Sequence, residues 1–178
     1  CKWAESEPNV TYHDTEWGVP VHDDSTLFEM LILEGAQAGL SWVTILKRRE
    51  TYRAAFCNFD VKKVSKFTQK DVNRLLKDEG IIRNKLKVNS AINNAKRFLE
   101  VQSEFDSFDK YICDFVDYIP IKNKFKNASE IPASTALSDR ISQDLKKRGF
   151  NFVGSKVCYA FMQAVGIVND HTADCFRY

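Results

Sequence analysis

Glycine and proline are scarce in this chain, 7 and 4 residues among 178. So few breakers argue for long regular elements joined by short turns, and against a loop-built scaffold. Net charge is also small: Lys and Arg total 26 against 24 Asp and Glu, which leaves +2. That excess does not by itself announce a nucleic-acid binder, although basic residues gathered on one face still would make one. No stretch approaches the ~20 uninterrupted apolar residues of a membrane helix, so no membrane partner is expected. The first residues are polar and show no secretory signal. Five cysteines, Cys1, Cys57, Cys113, Cys158 and Cys175, form an odd and dispersed set. Such a set reads as thiols or metal ligands in a cytoplasmic protein, not as a disulfide framework.

What is present is ordinary globular material, 44% hydrophobic and 28% charged, with no internal repeat and enough length for one well-buried domain over residues 1–178. Residues 1–23 read as an irregular arm that something must tie down. From Asp24 the pattern turns helical. Leu27, Phe28, Met30, Leu31, Ile32 and Leu33 are apolar almost all round, the mark of a central buried helix ending near Gly39. Ser41 is placed to cap a second helix carrying Trp42 through Phe56. Asp60 and Thr68 look like caps of two short helices. Longer helical patterns cover 84–101 and 107–118. The stretch 120–132 reads as the least ordered. Ser134 or Thr135 opens a helix closed by Gly149, and a last one covers 154–165. Sustained period-two alternation is absent, so the expected fold is all-α.

Three constellations stand out. First, His171 and Cys175 are spaced to reach one ion if a helical turn continues there, and Cys1 and His13 lie at the other end of the chain. Two cysteines and two histidines would close a structural tetrahedral zinc site that fastens the termini together. The alternative is a chance H-x-x-x-C. Second, Glu34 ends the most apolar helix, where a carboxylate is costly unless bonded or used. The three tryptophans, Trp3, Trp17 and Trp42, lie with Tyr12 in the first 42 residues. Aromatic walls around one carboxylate suit a flat, cationic ring. Alternatively the tryptophans are core and Glu34 pairs with an arginine. Third, the 147–154 turn, KRGFNFVG, sets glycines and cations before a helix N-terminus, a sequence-blind grip for phosphate or an ordinary turn between helices. GIIRNK at 80–85 offers a similar turn.

Together with YHDTEWGVP at 12–20, LEGAQAGLSW at 33–42 and VNDH at 168–171, these segments resemble the 3-methyladenine DNA glycosylase I (Tag) family over essentially the whole chain. The resemblance implies a helix-hairpin-helix glycosylase fold that excises 3-methyladenine from alkylated double-stranded DNA. On it, Cys1, His13, His171 and Cys175 fall on the family's zinc ligands. Tyr12 and Glu34 fall on polar contacts to the methylated base, Trp42 on the stacking wall, and Trp3 and Trp17 complete the pocket. Gln37, Gly39 and Leu40 fall on the loop that fills the gap left by the extruded nucleotide. Lys147, Gly149, Phe150 and Gly154 fall on the DNA-gripping hairpin. Two departures are visible. Asn169 stands where the broader superfamily usually has an aspartate, which this family also lacks. The segment between Pro8 and Tyr12 is one residue short and misses an aromatic, which leaves one pocket wall open to question.

The implied reaction is monofunctional. The lesion is flipped out, its own positive charge weakens the glycosidic bond, and no lysine in the matched site offers a Schiff-base nucleophile. A zinc hydrolase is disfavoured because four protein ligands leave no position for an activated water. A zinc-stapled, non-catalytic damage binder would keep the hairpin without needing the Glu34 pocket. A single flipped base requires only a monomer.

Overall fold

The computed structural model describes residues 1–178 and contains ten α-helices. They are α1 (Asn9–Thr15), α2 (Asp24–Gln37), α3 (Trp42–Leu46), α4 (Arg49–Ala55), α5 (Val61–Val64), α6 (Gln69–Leu75), α7 (Lys85–Phe105), α8 (Phe108–Asp114), α9 (Ala136–Lys147) and α10 (Ser155–Ala164). No helix is long and apolar enough to cross a membrane. The only extended pairing joins Ile121–Lys122 in parallel to Val168–Asn169.

Helix α2 is the axis of the molecule. It starts because the Asp23 carboxylate accepts from the Thr26 amide at 2.8 Å. Its apolar circumference is then enclosed by α3, α7, α8 and α10. Leu27, Phe28, Leu31 and Leu33 are fully buried within one hydrophobic core of 41 residues. Asp24, in the first turn, also works across the fold: its two oxygens accept the Phe108 and Asp109 amides, capping the start of α8 from outside. Local caps set the other starts. Asp60 receives the Lys63 amide, Asn84 the Lys87 amide, Ser107 the Lys110 amide, and Thr135 with Ser138 closes a reciprocal box.

Four expectations differ from what the chain does. The arm is not irregular throughout, since α1 runs through its middle. The helix expected from Trp42 to Phe56 is broken at Lys47–Arg48 into α3 and α4, which turns Arg49 inward to donate to Glu29 at 2.5 Å and Glu16 at 2.6 Å. A buried charge network outweighs continuation of one helix there. The 107–118 helix stops at Asp114, because Asp117 and Tyr118 take positive φ (50° and 61°) and the Tyr118 amide returns to the Cys113 carbonyl. The 120–132 stretch is held, not loose. The Ile121 and Asn123 amides bond Ile167 and Asn169 carbonyls, and the Ala173 amide bonds the Phe125 carbonyl.

Two glycines are geometric requirements. Gly149 (φ +86°) ends α9, its amide and that of Phe150 closing back on the Lys146 and Leu145 carbonyls. At Gly166 (φ +71°) any Cβ would collide with the backbone of Val19 and Pro20, where the N-terminal arm crosses the end of α10.

Candidate active site and metal centre

Tyr12 and His13 are consecutive on α1 and face two different sites. On one side lies an open cavity of about 390 Å³, lined by Trp3, Tyr12, Trp17, Trp42, Gln37 and Gln163 together with Ala128, Ile131 and Ala160. Its aromatic rings brace one another: Trp3 and Trp17 meet edge to face at 5.2 Å between centroids, and Tyr12 lies 5.3 Å from Trp42. Glu34 sits one helical turn behind Gln37, on the same face of α2. It is 5% exposed, and its Oε2 has no hydrogen-bond partner in the protein. Two more buried polar atoms here are likewise without partners, the Tyr12 hydroxyl and Trp42 Nε1. Burial pushes the Glu34 carboxyl up to about 8, and burial, then the nearby Glu34, hold the Tyr12 phenol well above its ordinary range. Arg49 does not relieve Glu34, being committed to Glu29 and Glu16. Buried polar atoms are almost always paired. Three unpaired ones beside an aromatic cavity therefore describe a recognition surface for a flat ring that carries donors, acceptors or positive charge.

On the other side, the Sγ atoms of Cys1 and Cys175 meet His13 Nε2 and His171 Nδ1, all within 4.8 Å of one another. The closest pairs are His13 to His171 at 3.1 Å, Cys175 to His13 at 3.4 Å, Cys175 to His171 at 3.5 Å and Cys1 to His171 at 3.7 Å. Metal bonds of ~2.0–2.3 Å place tetrahedral donors roughly 3.3–3.8 Å apart. The closest donor pairs of the cluster therefore lie in or near the spacing of a closed four-coordinate site. The outward nitrogens are already spoken for: His13 Nδ1 lies 2.6 Å from the Asp14 carboxylate and His171 Nε2 lies 2.9 Å from the Trp17 carbonyl. The tautomers that donate to those two oxygens direct the lone pairs of His13 Nε2 and His171 Nδ1 at the thiols, the arrangement a metal requires. The same Trp17 lines the aromatic cavity, so the terminal knot supports the pocket directly.

The turns resolve differently from their sequence expectation. Leu40 is 41% exposed and Gly39 takes φ +78°, so the loop between α2 and α3 does project an apolar tip. Gln37 is not on that tip; it is the last residue of α2 and forms cavity wall. In the 147–154 turn Phe150 is 3% exposed and belongs to the core. Its amide and that of Gly149 are used in closing α9, so neither residue can grip a ligand through a backbone N–H. The Asn151 amide is likewise taken by Asn94. Gly154 caps α10 without a side-chain bond and leaves the first-turn amides of that helix outside the helical ladder. Lys147 is exposed, whereas Arg148 is held by Glu104 and Asp144.

Sequence reasoning missed the wall formed by Ala128, Ile131 and Gln163. Ala128 and Ile131 arrive from the stretch read as the least ordered, carried there by its pairing with the C-terminal strand. Gln163 is held by Asp170, a fully buried carboxylate that also accepts from Tyr159 at 2.5 Å and Asn123 at 2.6 Å. An Asn at position 123 and an Asp preceding His171 were the available signals, and neither means anything until the two segments are known to lie side by side.

Fold and site thus define a class: a helical domain whose aromatic pocket suits a flat, electron-poor ring, with four cysteine and histidine donors of the kind that hold a structural metal gathered behind it. The family model for methyladenine glycosylase matches residues 3–178. DNA-3-methyladenine glycosylase 1 of Escherichia coli (strain K12) is 49% identical over 179 residues, covering 100% of this chain and 96% of its own length. A crystal structure of 3-methyladenine DNA glycosylase I superposes with a TM-score of 0.96 at 47% identity, over 99% of this chain and 97% of that one. A tyrosine-to-phenylalanine variant of 3-methyladenine DNA glycosylase I, solved in complex with 3-methyladenine, gives a TM-score of 0.96 at 32% identity, over 99% of this chain and 95% of that one. The chain belongs to the methyladenine glycosylase family.

Proposed function

We propose that this protein hydrolyses the glycosidic bond of N3-methyladenine in alkylated double-stranded DNA, as one monomeric glycosylase domain spanning residues 1–178, in the cytoplasm. The observation that carries the reading is Glu34, a buried carboxyl with an unpartnered oxygen close to Tyr12, a wall residue of the aromatic cavity. Its discomfort without a ligand is the basis of selectivity. An N3-methyladenine nucleoside is cationic, so it supplies the charge that lets Glu34 ionise out of water, whereas neutral adenine enters without that compensation. Tyr12, kept a neutral phenol by burial, offers its hydroxyl to the ring, and Trp42 stacks on it with Trp3 and Trp17 as further walls.

To reach this pocket the lesion must leave the duplex, at a cost of a few kcal/mol. Leu40 on the exposed loop fills the gap, with Gly39 allowing the turn. Gly154 and the free amides that follow it, with Lys147, hold the backbone in the manner of a helix-hairpin-helix grip. Water then adds at the sugar carbon, the base departs neutral and one proton goes to solvent. Because the lesion already carries the positive charge, Glu34 orients the ring and stabilises the developing cationic sugar without acting as a strong acid. No lysine lines the pocket, which supports base removal without strand cleavage. Zinc suits the donor set of Cys1, His13, His171 and Cys175, where it would be structural and would fasten both termini.

The test is chromatography of free bases released from methylated duplex DNA by the protein and by Glu34→Gln. Selective release of 3-methyladenine, reduced about 100-fold in the variant while abasic-DNA binding is retained, is the expected result. DNA binding with no base released would overturn it in favour of a damage-binding protein.

A further inference from the structure

The loop between α2 and α3 is closed by one tight turn, the Leu40 amide bonding the Gln37 carbonyl at 2.6 Å, and that turn is braced by a lysine from a distant helix. Helix α2 ends without a left-handed closing residue, Ala38 taking φ −46° and ψ 116° before Gly39 swings to φ +78°. The Ala38 and Leu40 amides return to the Gly35 and Gln37 carbonyls, which leaves those of Ala36 and Ala38 in need of another donor. Lys87 supplies it: Nζ donates to the Ala36 carbonyl at 2.8 Å and to the Ala38 carbonyl at 2.7 Å. The ammonium also sits at the negative end of the helix dipole. It makes no ion pair with any carboxylate, so its charge serves those carbonyls alone. The other end of the tie is equally fixed, because the Lys87 amide is the donor captured by the Asn84 cap of α7 at 3.1 Å. Lys87 lines a small apolar pocket together with Ile81, Ile82 and Val88, beside the 80–85 turn. Partial burial lowers the Lys87 pKa without a compensating acid, a cost that a purely decorative surface lysine would avoid by facing water.

We propose that Lys87 is a positioning residue of the glycosylase: it locks the Gly39–Leu40 tip against the start of α7, so that the loop is preformed when it enters the duplex. The inference rests on the reading of function above. A loop already ordered loses less conformational freedom when it replaces the extruded nucleotide, so the effect belongs to handling of duplex DNA and not to the base pocket.

The test compares wild-type protein with Lys87→Met, which keeps the apolar stem, and Lys87→Arg, which keeps the donors. Three quantities are read: hydrogen exchange of amides 38–41 in the free protein, affinity for free 3-methyladenine from tryptophan fluorescence, and single-turnover excision from a duplex oligonucleotide. In Lys87→Met, exchange should rise and excision fall by about 10-fold each, with free-base affinity within about twofold of wild type. Lys87→Arg should recover most of the excision. Unchanged exchange or unchanged excision in Lys87→Met overturns the proposal. So does a parallel loss of free-base affinity, which would make Lys87 merely structural. Wild-type protein that releases no base overturns the functional reading and this inference with it. An active wild type matched by Lys87→Met overturns this inference alone.

Discussion

Tyr12 and His13 are neighbours in sequence, yet the sites they enter follow opposite rules. Around His13 the ring nitrogens are all committed: its outward nitrogen meets Asp14, that of His171 meets the Trp17 carbonyl, and the inward nitrogens converge on two thiols. Around Tyr12 the phenol, Glu34 Oε2 and Trp42 Nε1 are buried and unpaired. A region that only stabilises can satisfy itself completely. One that must recognise a ligand keeps unsatisfied groups in reserve, and the fold carries their cost. The knot and the pocket share Trp17, so the rigid region holds the strained one in shape.

The largest effect should come from undoing the knot. Treatment with a strong metal chelator is expected to lower the melting temperature by more than about 10 °C and to weaken 3-methyladenine binding, since α1 carries both His13 and Tyr12. An unchanged melting curve, with no metal detected in the purified protein, would reduce the cluster to a hydrogen-bonded knot. Next comes Asp170→Asn. Its carboxylate accepts from Tyr159, Gln163 and Asn123 in a fully buried site, and an amide cannot accept from all three through one oxygen. A loss of about 3 kcal/mol in denaturant unfolding is expected, and less than 1 would show that the network rearranges freely.

The pocket should respond with the opposite sign. The Glu34 carboxyl is raised from 4.5 to about 8 in the folded protein, so between those values the folded state holds more protons than the unfolded one. Stability contributed at this position is therefore fully present below pH 4.5 and declines as pH rises toward 8. Glu34→Gln should be more stable than wild type by ~2 kcal/mol at pH ~6, with the difference growing toward pH 8 and vanishing below pH 4.5. A variant less stable at high pH would mean that Glu34 has a partner after all. The smallest effect is at the surface: Lys147→Ala should reduce the slope of log affinity against log salt by about 1 for any duplex, leaving base selectivity untouched.

Much of this was readable residue by residue. Asp60, Thr135 and Gly149 act through bonds to amides or carbonyls a few positions away, so their roles follow from local spacing. The continuous apolar run in α2 could only be a buried helix, and Glu34 at its end could only be a liability or a tool. The metal donors could be named by residue type, although their convergence depends on two termini meeting. What could not be read depends on segments far apart in sequence. The break between α3 and α4 exists because Arg49 finds Glu29 and Glu16. The 147–154 turn spends its Gly149 and Phe150 amides on closing α9, which moves the free donors to Gly154 and beyond.

By itself, then, the sequence determined the helical character, the locally capped helix starts and the chemical kinds of side chain at each site, because caps, periodicity and burial cost act over a few residues. Only the tertiary structure decided which groups stand unpaired beside a cavity, that Ala128, Ile131 and Gln163 form its wall, and that Lys87 closes α2. A hydrogen bond or cavity wall between residues dozens of positions apart has no local signature, and it exists only after the core has folded and brought the segments together.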